Sequence, residues 1–242
     1  MTGENIVYKA EECQTTVHSW GMVSEMLYSG TDEKFLGFGD LVQLSRVRFH
    51  PGYSSTPMTL LRNIEMIDII LSGSAGYQDS AGVNATYPEN TLQIVSAGKG
   101  MYRSEFNASQ DRPLEKIQIG ILPGRLNTDP VRTKALFDLD AHRNSLVTLL
   151  SPYSDASTLS IRQQAALVIG KFDAGKQIVY DVSGRATGLF LFVVSGIVTV
   201  GDFQLHSNDG IGMRSPERIA VTFAEESVLL IMQLEMPIQE NT

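Results

Sequence analysis

Arg103 and Glu105 are the two residues of this chain whose types and spacing most directly suggest chemistry. They sit in the segment Met101-Tyr102-Arg103-Ser104-Glu105-Phe106-Asn107, whose alternation predicts a β-strand. Side chains of a strand alternate, so Met101, Arg103 and Glu105 share one face while Tyr102, Ser104 and Phe106 share the other. Same-face neighbours lie about 6.5–7 Å apart, which a flexible arginine can bridge to reach a carboxylate. Two arrangements follow. Either the two charges pair in an interior, each offsetting the cost of burying the other, or Arg103 points to a pocket mouth and Glu105 is solvated.

Other chemistry has less support. The four histidines, His18, His50, His142 and His206, form no H-x-H or H-x3-H pair. Glu11-Glu12 and Glu225-Glu226 read as exposed charges, and no P-loop, glycosidase-type carboxylate pair or Ser-His-Asp constellation is visible. The single cysteine, Cys13, excludes an internal disulfide framework and a thiolate metal cluster, and fits a reducing compartment.

The elements that must position Arg103 and Glu105 read as short strands. Thr91 to Ser96 precedes the turn Gly98-Lys99-Gly100, which leads into the Arg103 segment, so the local pattern is strand, tight turn, strand. Leu41 to Phe49, Ile64 to Leu71, Ser74 to Tyr77 and Ile117 to Leu122 read as further strands. So do Ser145 to Leu150, Leu159 to Gly170, Gln177 to Val182, Gly188 to Val194, Ile197 to Val200, Arg218 to Phe223 and Val228 to Leu234. Only Lys134 to Leu139 suggests a helical turn.

The chain of 242 residues has room for one large β domain or two smaller ones. Hydrophobic content of 43% and charged content of 19% describe a globular protein with a substantial core. A formal net charge of −8 and no cluster of Lys and Arg argue against a nucleic-acid surface. The apolar run Leu189 to Val198, interrupted by Ser195-Gly196, is far short of the ~20 residues that cross a bilayer. The opening residues lack the basic and apolar regions of a signal peptide, so a cytoplasmic location and no membrane contact are expected.

Leu71-Ser72-Gly73-Ser74-Ala75-Gly76-Tyr77 has an echo in Val194-Ser195-Gly196-Ile197-Val198-Thr199-Val200. Each joins an apolar residue and Ser-Gly to a short strand, and each is followed by an Asn-containing turn, at Asn90 and at Asn208. Repetition of this kind suggests two barrel or jelly-roll units. The expected fold is all-β, two tandem cupin (jelly-roll β-barrel) domains, with residues 1–124 as the N-terminal unit, 125–150 as the connection and 151–242 as the C-terminal unit.

At this point the chain resembles a known family. Leu71-Ser72-Gly73, Tyr77-Gln78-Asp79-Ser80, Gln93-Ile94-Val95-Ser96-Ala97-Gly98-Lys99-Gly100 and Ser104-Glu105-Phe106-Asn107 are similar to the core of the pirins. These bicupins carry L-x-G, H-x-D-S, Q-x-M-x-A-G-x-G and H-S-E-x-N in that order, and the similarity extends from about Trp20 to Leu234. The resemblance implies one iron or similar ion in the N-terminal cupin, held by an H-x-H pair, a later His and a Glu two residues on. It also implies quercetin 2,3-dioxygenase activity in some members.

Carried over residue by residue, the family's H-S-E falls on Arg103-Ser104-Glu105, and its R-D-M-E on Arg62-Asn63-Ile64-Glu65, which places the H-x-H pair at Thr59 and Leu61. Only the glutamate matches. Leu61 has no donor atom, Thr59 offers a neutral hydroxyl, and Arg103 is a cation without a lone pair. A slip in the count does not supply an imidazole, since no histidine lies between His50 and His142. His50 is the histidine closest in sequence to the expected pocket; His18 reads as a packing or hydrogen-bonding residue. Arg162-Gln163-Gln164 stands where many relatives carry H-Q-D.

The expectation is therefore a degenerate pirin-like bicupin with no metal ligands and no catalytic residues, acting as a small-molecule-binding or regulatory module. Its candidate pocket comprises Thr59, Leu61, Tyr77, Gln93, Met101, Arg103 and Glu105, with Met66 nearby, and suits a small organic acid anchored on Arg103 or an aromatic ligand. A barrel filled by Met and Ile is the competing arrangement. No cofactor is expected, and Fe or another divalent transition metal is the alternative. The competing functions are a metal-dependent quercetin 2,3-dioxygenase-like enzyme and a scaffold that binds other proteins.

Overall fold

The computed structural model describes residues 5–28, 32–53, 56–152, 159, 161, 163–182 and 188–236. Its described residues form antiparallel strands in four sheets, with two short 3-10 turns at Ala10–Glu12 and Glu33–Phe35. The seven-stranded sheet runs Val131–Leu136, Thr91–Ser96, Glu65–Ser72, Leu114–Ile121, Leu41–Phe49, Gly21–Leu27, Gln14–His18. Facing its inner side is a four-stranded sheet of Thr59–Leu61, Met101–Asn107, Ser74–Asp79 and Asn84–Pro88. In the C-terminal half a six-stranded sheet runs Asn5–Tyr8, Gly210–Arg214, Gly188–Ser195, Ser227–Leu234, Ala166–Phe172, Leu146–Leu150. A second four-stranded sheet holds Gln177–Asp181, Arg218–Phe223, Ile197–Val200 and Phe203–His206. This is the all-β, tandem cupin jelly-roll architecture expected from the sequence.

The two large sheets are buried on both faces. Leu44, Ile67, Ile69, Leu92, Ile94, Ile117 and Ile119 of the seven-stranded sheet share one apolar core with Leu167, Ile169, Phe190, Phe192, Leu230 and Met232 of the six-stranded sheet. That is why Glu65–Ser72 and Gly188–Ser195 read as nearly continuous apolar runs rather than alternations. The opposite face of the six-stranded sheet, with Leu189, Leu191, Val193, Leu229 and Ile231, meets Val198, Val200, Leu205, Val221 and Phe223. The C-terminal barrel is thus filled with hydrocarbon. Phe172 and Phe223 stack inside it with ring centroids 4.3 Å apart.

The Leu71 and Val194 echoes mark equivalent corners. At Gly73 and at Gly196 the chain leaves a large sheet and enters the small sheet of the same barrel, with φ of 81° and 91°. A Cβ on Gly73 would lie 2.5 Å from the Pro113 carbonyl oxygen, and one on Gly196 would lie 2.6 Å from the Glu226 carbonyl oxygen. Positive φ and backbone contact together require glycine at both corners.

Several sequence expectations change in three dimensions. Thr91–Ser96 and Met101–Asn107 are strands, yet they do not pair: the Gly98-Lys99-Gly100 turn passes the chain from the seven-stranded sheet to the four-stranded one. Val131–Leu136 is a strand paired with Thr91–Ser96, not a helical turn, because an open sheet edge supplies its hydrogen-bond partners. The stretch 125–150 is more than a connection, since Val131–Leu136 extends the N-terminal sheet and Leu146–Leu150 the C-terminal one. Asn5–Tyr8 pairs with Gly210–Arg214, so the opening strand joins the C-terminal sheet although the sequence grouped it with residues 1–124. Tyr8 is buried there against Phe190. Arg162 lies outside the described residues.

Candidate functional site

The inner face of the N-terminal barrel carries its polar residues in a register that strand pairing creates. Lys134 stands opposite Gln93, Gln93 opposite Asp68, Asp68 opposite Gln118, Gln118 opposite Ser45 and Ser45 opposite Glu25. Lys116 lies two residues before Gln118 on the same face. Directly paired residues of an antiparallel sheet project to the same side, so six strands deliver one polar row across the barrel floor.

Arg103 and Glu105 reach this row from the facing sheet. Arg103 donates from Nη2 to Asp68 Oδ2 and, over 2.6 Å, to Glu105 Oε1. Lys116 donates from Nζ to Asp68 Oδ1 at 2.8 Å and to Glu105 Oε2 at 2.6 Å. Gln118 adds bonds from Nε2 to Asp68 Oδ1 and Glu105 Oε1, each 3.1 Å long. Two carboxylates are therefore clamped by two cations and an amide. The side chains of Asp68 and Lys116 are 0% exposed, that of Arg103 is 4% exposed and that of Glu105 17%.

The electrostatics are those of a closed ion quartet. Burial by itself would raise the Asp68 carboxyl, but the Arg103 and Lys116 charges outweigh it and hold the group below the usual carboxylate range. Burial works against the Arg103 charge as well, and Asp68 and Glu105 reverse that, holding the guanidinium firmly protonated. Beneath it the Arg103 Cζ lies 4.2 Å from the Tyr77 ring centroid, a cation–π contact, with Lys116 Nζ at 5.3 Å. Burial and then Asp68 push the Tyr77 hydroxyl well above its ordinary value. Arg103 Nε and Nη1 have no hydrogen-bond acceptor among the described residues and are closed off from solvent.

Above the quartet is a cavity of about 420 Å³. Arg103, Glu105, Gln118 and Gln43 form its polar floor; Val23, Val47, Leu61, Met66 and Trp20 give apolar walls; His18, Glu25, Thr56, Pro57 and Thr59 complete the lining. Gln43 donates from Nε2 to Gln118 Oε1 at 3.2 Å, which continues the floor's hydrogen-bond chain outward. Trp20 stacks on His18 and on Phe49, both with centroids 4.6 Å away. Glu25 is half-buried, and burial raises its carboxyl while His18 lowers it.

Of the residues expected in the pocket, Thr59, Leu61, Arg103 and Glu105 line this cavity. Thr59 pairs with Arg103 and Leu61 with Met101 across neighbouring strands. Tyr77 lies beneath Arg103 rather than on the cavity wall, and Gln93 is buried farther along the polar row. Met101 packs with Met66, Val95 and Ala97 in a satellite core. The Arg103–Glu105 pair exists as one edge of a larger network. His50 is exposed and does not itself line the cavity, although its backbone N–H donates to the Trp20 carbonyl at 2.9 Å, while His18 is the histidine on the cavity wall.

Sequence reasoning missed Asp68, Lys116 and Gln118. A signal was present: Asp68 interrupts Met66-Ile67-Asp68-Ile69-Ile70, and Lys116 stands in a strand otherwise rich in Ile. A charge inside a strand buried on both faces has to be paired.

Two family models match the chain. Residues 33–121 match the family described as Pirin, and residues 148–234 match the quercetinase C-terminal cupin domain. The chain belongs to the pirin family. Among related pirins, a quercetin 2,3-dioxygenase of Escherichia coli K12 is 25% identical over 205 residues, which cover 84% of this chain and 86% of that protein. The pirin-like protein YhaK of the same strain is 25% identical over 234 residues, 95% of this pirin and 97% of YhaK. In fold, this pirin superposes on the crystal structure of bacterial pirin YhhW from Escherichia coli in complex with nickel(II), with a TM-score of 0.88 and 23% identity, covering 96% of this chain and 100% of that one.

The positions that the resemblance aligns with the family's metal ligands are Thr59, Leu61, Arg103 and Glu105. Thr59 and Leu61 supply no imidazole, and Arg103 places a fixed cation beside the one carboxylate, Glu105. Both Glu105 oxygens already accept hydrogen bonds from Arg103, Lys116 and Gln118. Among the described residues, no group of three or more His, Cys, Asp or Glu is arranged to hold a metal. No described helix is long and apolar enough to cross a membrane.

Proposed function

We propose that this pirin has lost the metal-dependent oxygenase site and that its N-terminal barrel works as a small-molecule-binding or regulatory module. The observation that carries the reading is Lys116 Nζ lying between Asp68 and Glu105, 2.8 Å and 2.6 Å from their oxygens. An ammonium and a guanidinium take the place in the electrostatic balance that an ion and its charge would otherwise fill. The cavity above them is within the size range of small-molecule sites and combines apolar walls with a few polar groups. The hydrocarbon-filled C-terminal barrel serves as a scaffold for the first. A cytoplasmic setting accords with the single cysteine, and the acidic charge of −8 disfavours direct nucleic-acid contact.

The names of the relatives favour a second reading, quercetin 2,3-dioxygenase activity. Metal content per chain separates the two. The protein is measured by plasma mass spectrometry as purified and after incubation with Fe(II), Ni(II), Mn(II) or Cu(II) and desalting, with quercetin consumption followed in parallel. Background metal and no turnover are expected. Near-stoichiometric metal with oxygen-dependent turnover would overturn the proposal.

A further inference from the structure

The ion quartet cancels within itself: Asp68 and Glu105 against Arg103 and Lys116. Arg103, the cation on the cavity floor, is committed to both carboxylates and covered on one side by Tyr77. The charge that remains on the cavity wall is Glu25. Among the described residues it forms no ion pair; its neighbours across the sheet are Gln14 and Ser45, and the one basic side chain on the same wall that acts on it is His18. A half-buried carboxylate with no ion-pair partner in an apolar-walled cavity has room for one positive group of a ligand. Burial raises the Glu25 carboxyl, as expected for a group in that condition.

We propose that the cavity takes a small amine, with the ligand's ammonium group paired to Glu25 and its hydrocarbon part against Val23, Val47 and Met66. The inference rests on the small-molecule-binding reading above and names the ligand class for the same site. Gln43 and Gln118 on the floor then accept or donate hydrogen bonds to the far end of the ligand. An organic acid cannot anchor on Arg103, because its remaining N–H groups are closed off from solvent.

The chain provides its own reporter, since Trp20 is its sole tryptophan and lies on the cavity wall. Phenethylamine, 2-phenylethanol and phenylacetate, three probes of similar shape and different charge, are titrated against Trp20 fluorescence, with calorimetry alongside. Wild type and Glu25→Gln are compared after equal thermal unfolding of the two is established. The expected result is that phenethylamine binds at least about tenfold more tightly than the alcohol, as for one well-placed charge pair. Glu25→Gln brings the amine to the level of the alcohol and leaves the alcohol unchanged. If phenylacetate binds best, or if the amine preference survives Glu25→Gln, the amine inference falls while the binding-module reading stands. No saturable response to any of the three at millimolar concentration would sink both.

Discussion

Replacing Lys116 by methionine tests the ion quartet directly. The substitution keeps the length of the side chain and removes the ammonium that Asp68 and Glu105 share, so it leaves one uncancelled negative charge at a position that is 0% exposed. Methionine fills most of the vacated volume, so the packing loss is small beside the electrostatic one. Breaking a buried ion pair by removing one partner costs about 3–5 kcal/mol. For a chain of this size each kcal/mol lowers Tm by roughly 2–4 °C, so a drop of roughly 6–20 °C is expected. Calorimetry and urea unfolding at pH 7 give the measurement.

The pH dependence of the same variant supplies a sign that packing loss cannot mimic. In the wild type the folded-state pKa of Asp68 is depressed, so its stabilisation is present above the unfolded value, about 3.9, and is lost as pH falls further. Without Lys116 the folded-state pKa of Asp68 rises, and protonation in mild acid then relieves the unpaired charge. The stability gap between wild type and Lys116→Met should therefore narrow from pH 7 to pH 4. Adding Asp68→Asn to Lys116→Met should cost less than the sum of the two single changes, because each single change strands the other's partner. A Tm shift below about 2 °C, or a gap that stays constant with pH, would refute the claim that these charges form one coupled network.

Three further outcomes follow from the fold. Gly73→Ala and Gly196→Ala place a Cβ against a backbone carbonyl at positive φ, and each should destabilise by about 1–3 kcal/mol, read by chemical denaturation. Leu191→Ala in the C-terminal barrel should cost about 2–5 kcal/mol while leaving probe binding at Trp20 unchanged, since that core has no contact with the cavity. Arg103→His should not produce stoichiometric metal binding by plasma mass spectrometry, because Thr59 and Leu61 still supply no imidazole and Lys116 still holds Glu105.

Local sequence carried a good part of the fold. Strand identity was legible wherever alternation or an apolar run was bounded by Gly, Asn or Pro, as at Leu41–Phe49, Gly188–Ser195 and Ser227–Leu234. Edge strands were less legible. Val131–Leu136 and Gln14–His18 are largely exposed and Asn5–Tyr8 has only four residues, so their side chains show no strong period, and only the open edge of a neighbouring sheet makes them strands. The glycine corners were visible as an echo, but their meaning, a change of sheet, depends on which strands pair on either side.

The sequence by itself determined the family, the two-barrel plan and the shared face of Arg103 and Glu105. Those properties are local: they depend on residue type, spacing and the period of a strand. Tertiary structure decided what Arg103 and Glu105 face. Asp68, Lys116 and Gln118 lie 35, 11 and 13 residues along the chain from the Arg103 or Glu105 side chain each one bonds, and only the register of the seven-stranded sheet brings them together opposite Arg103. The facing four-stranded sheet covers that inner face with Tyr77, Arg103 and Glu105, which removes water as a partner for Asp68 and Lys116 and leaves each other's charge in its place.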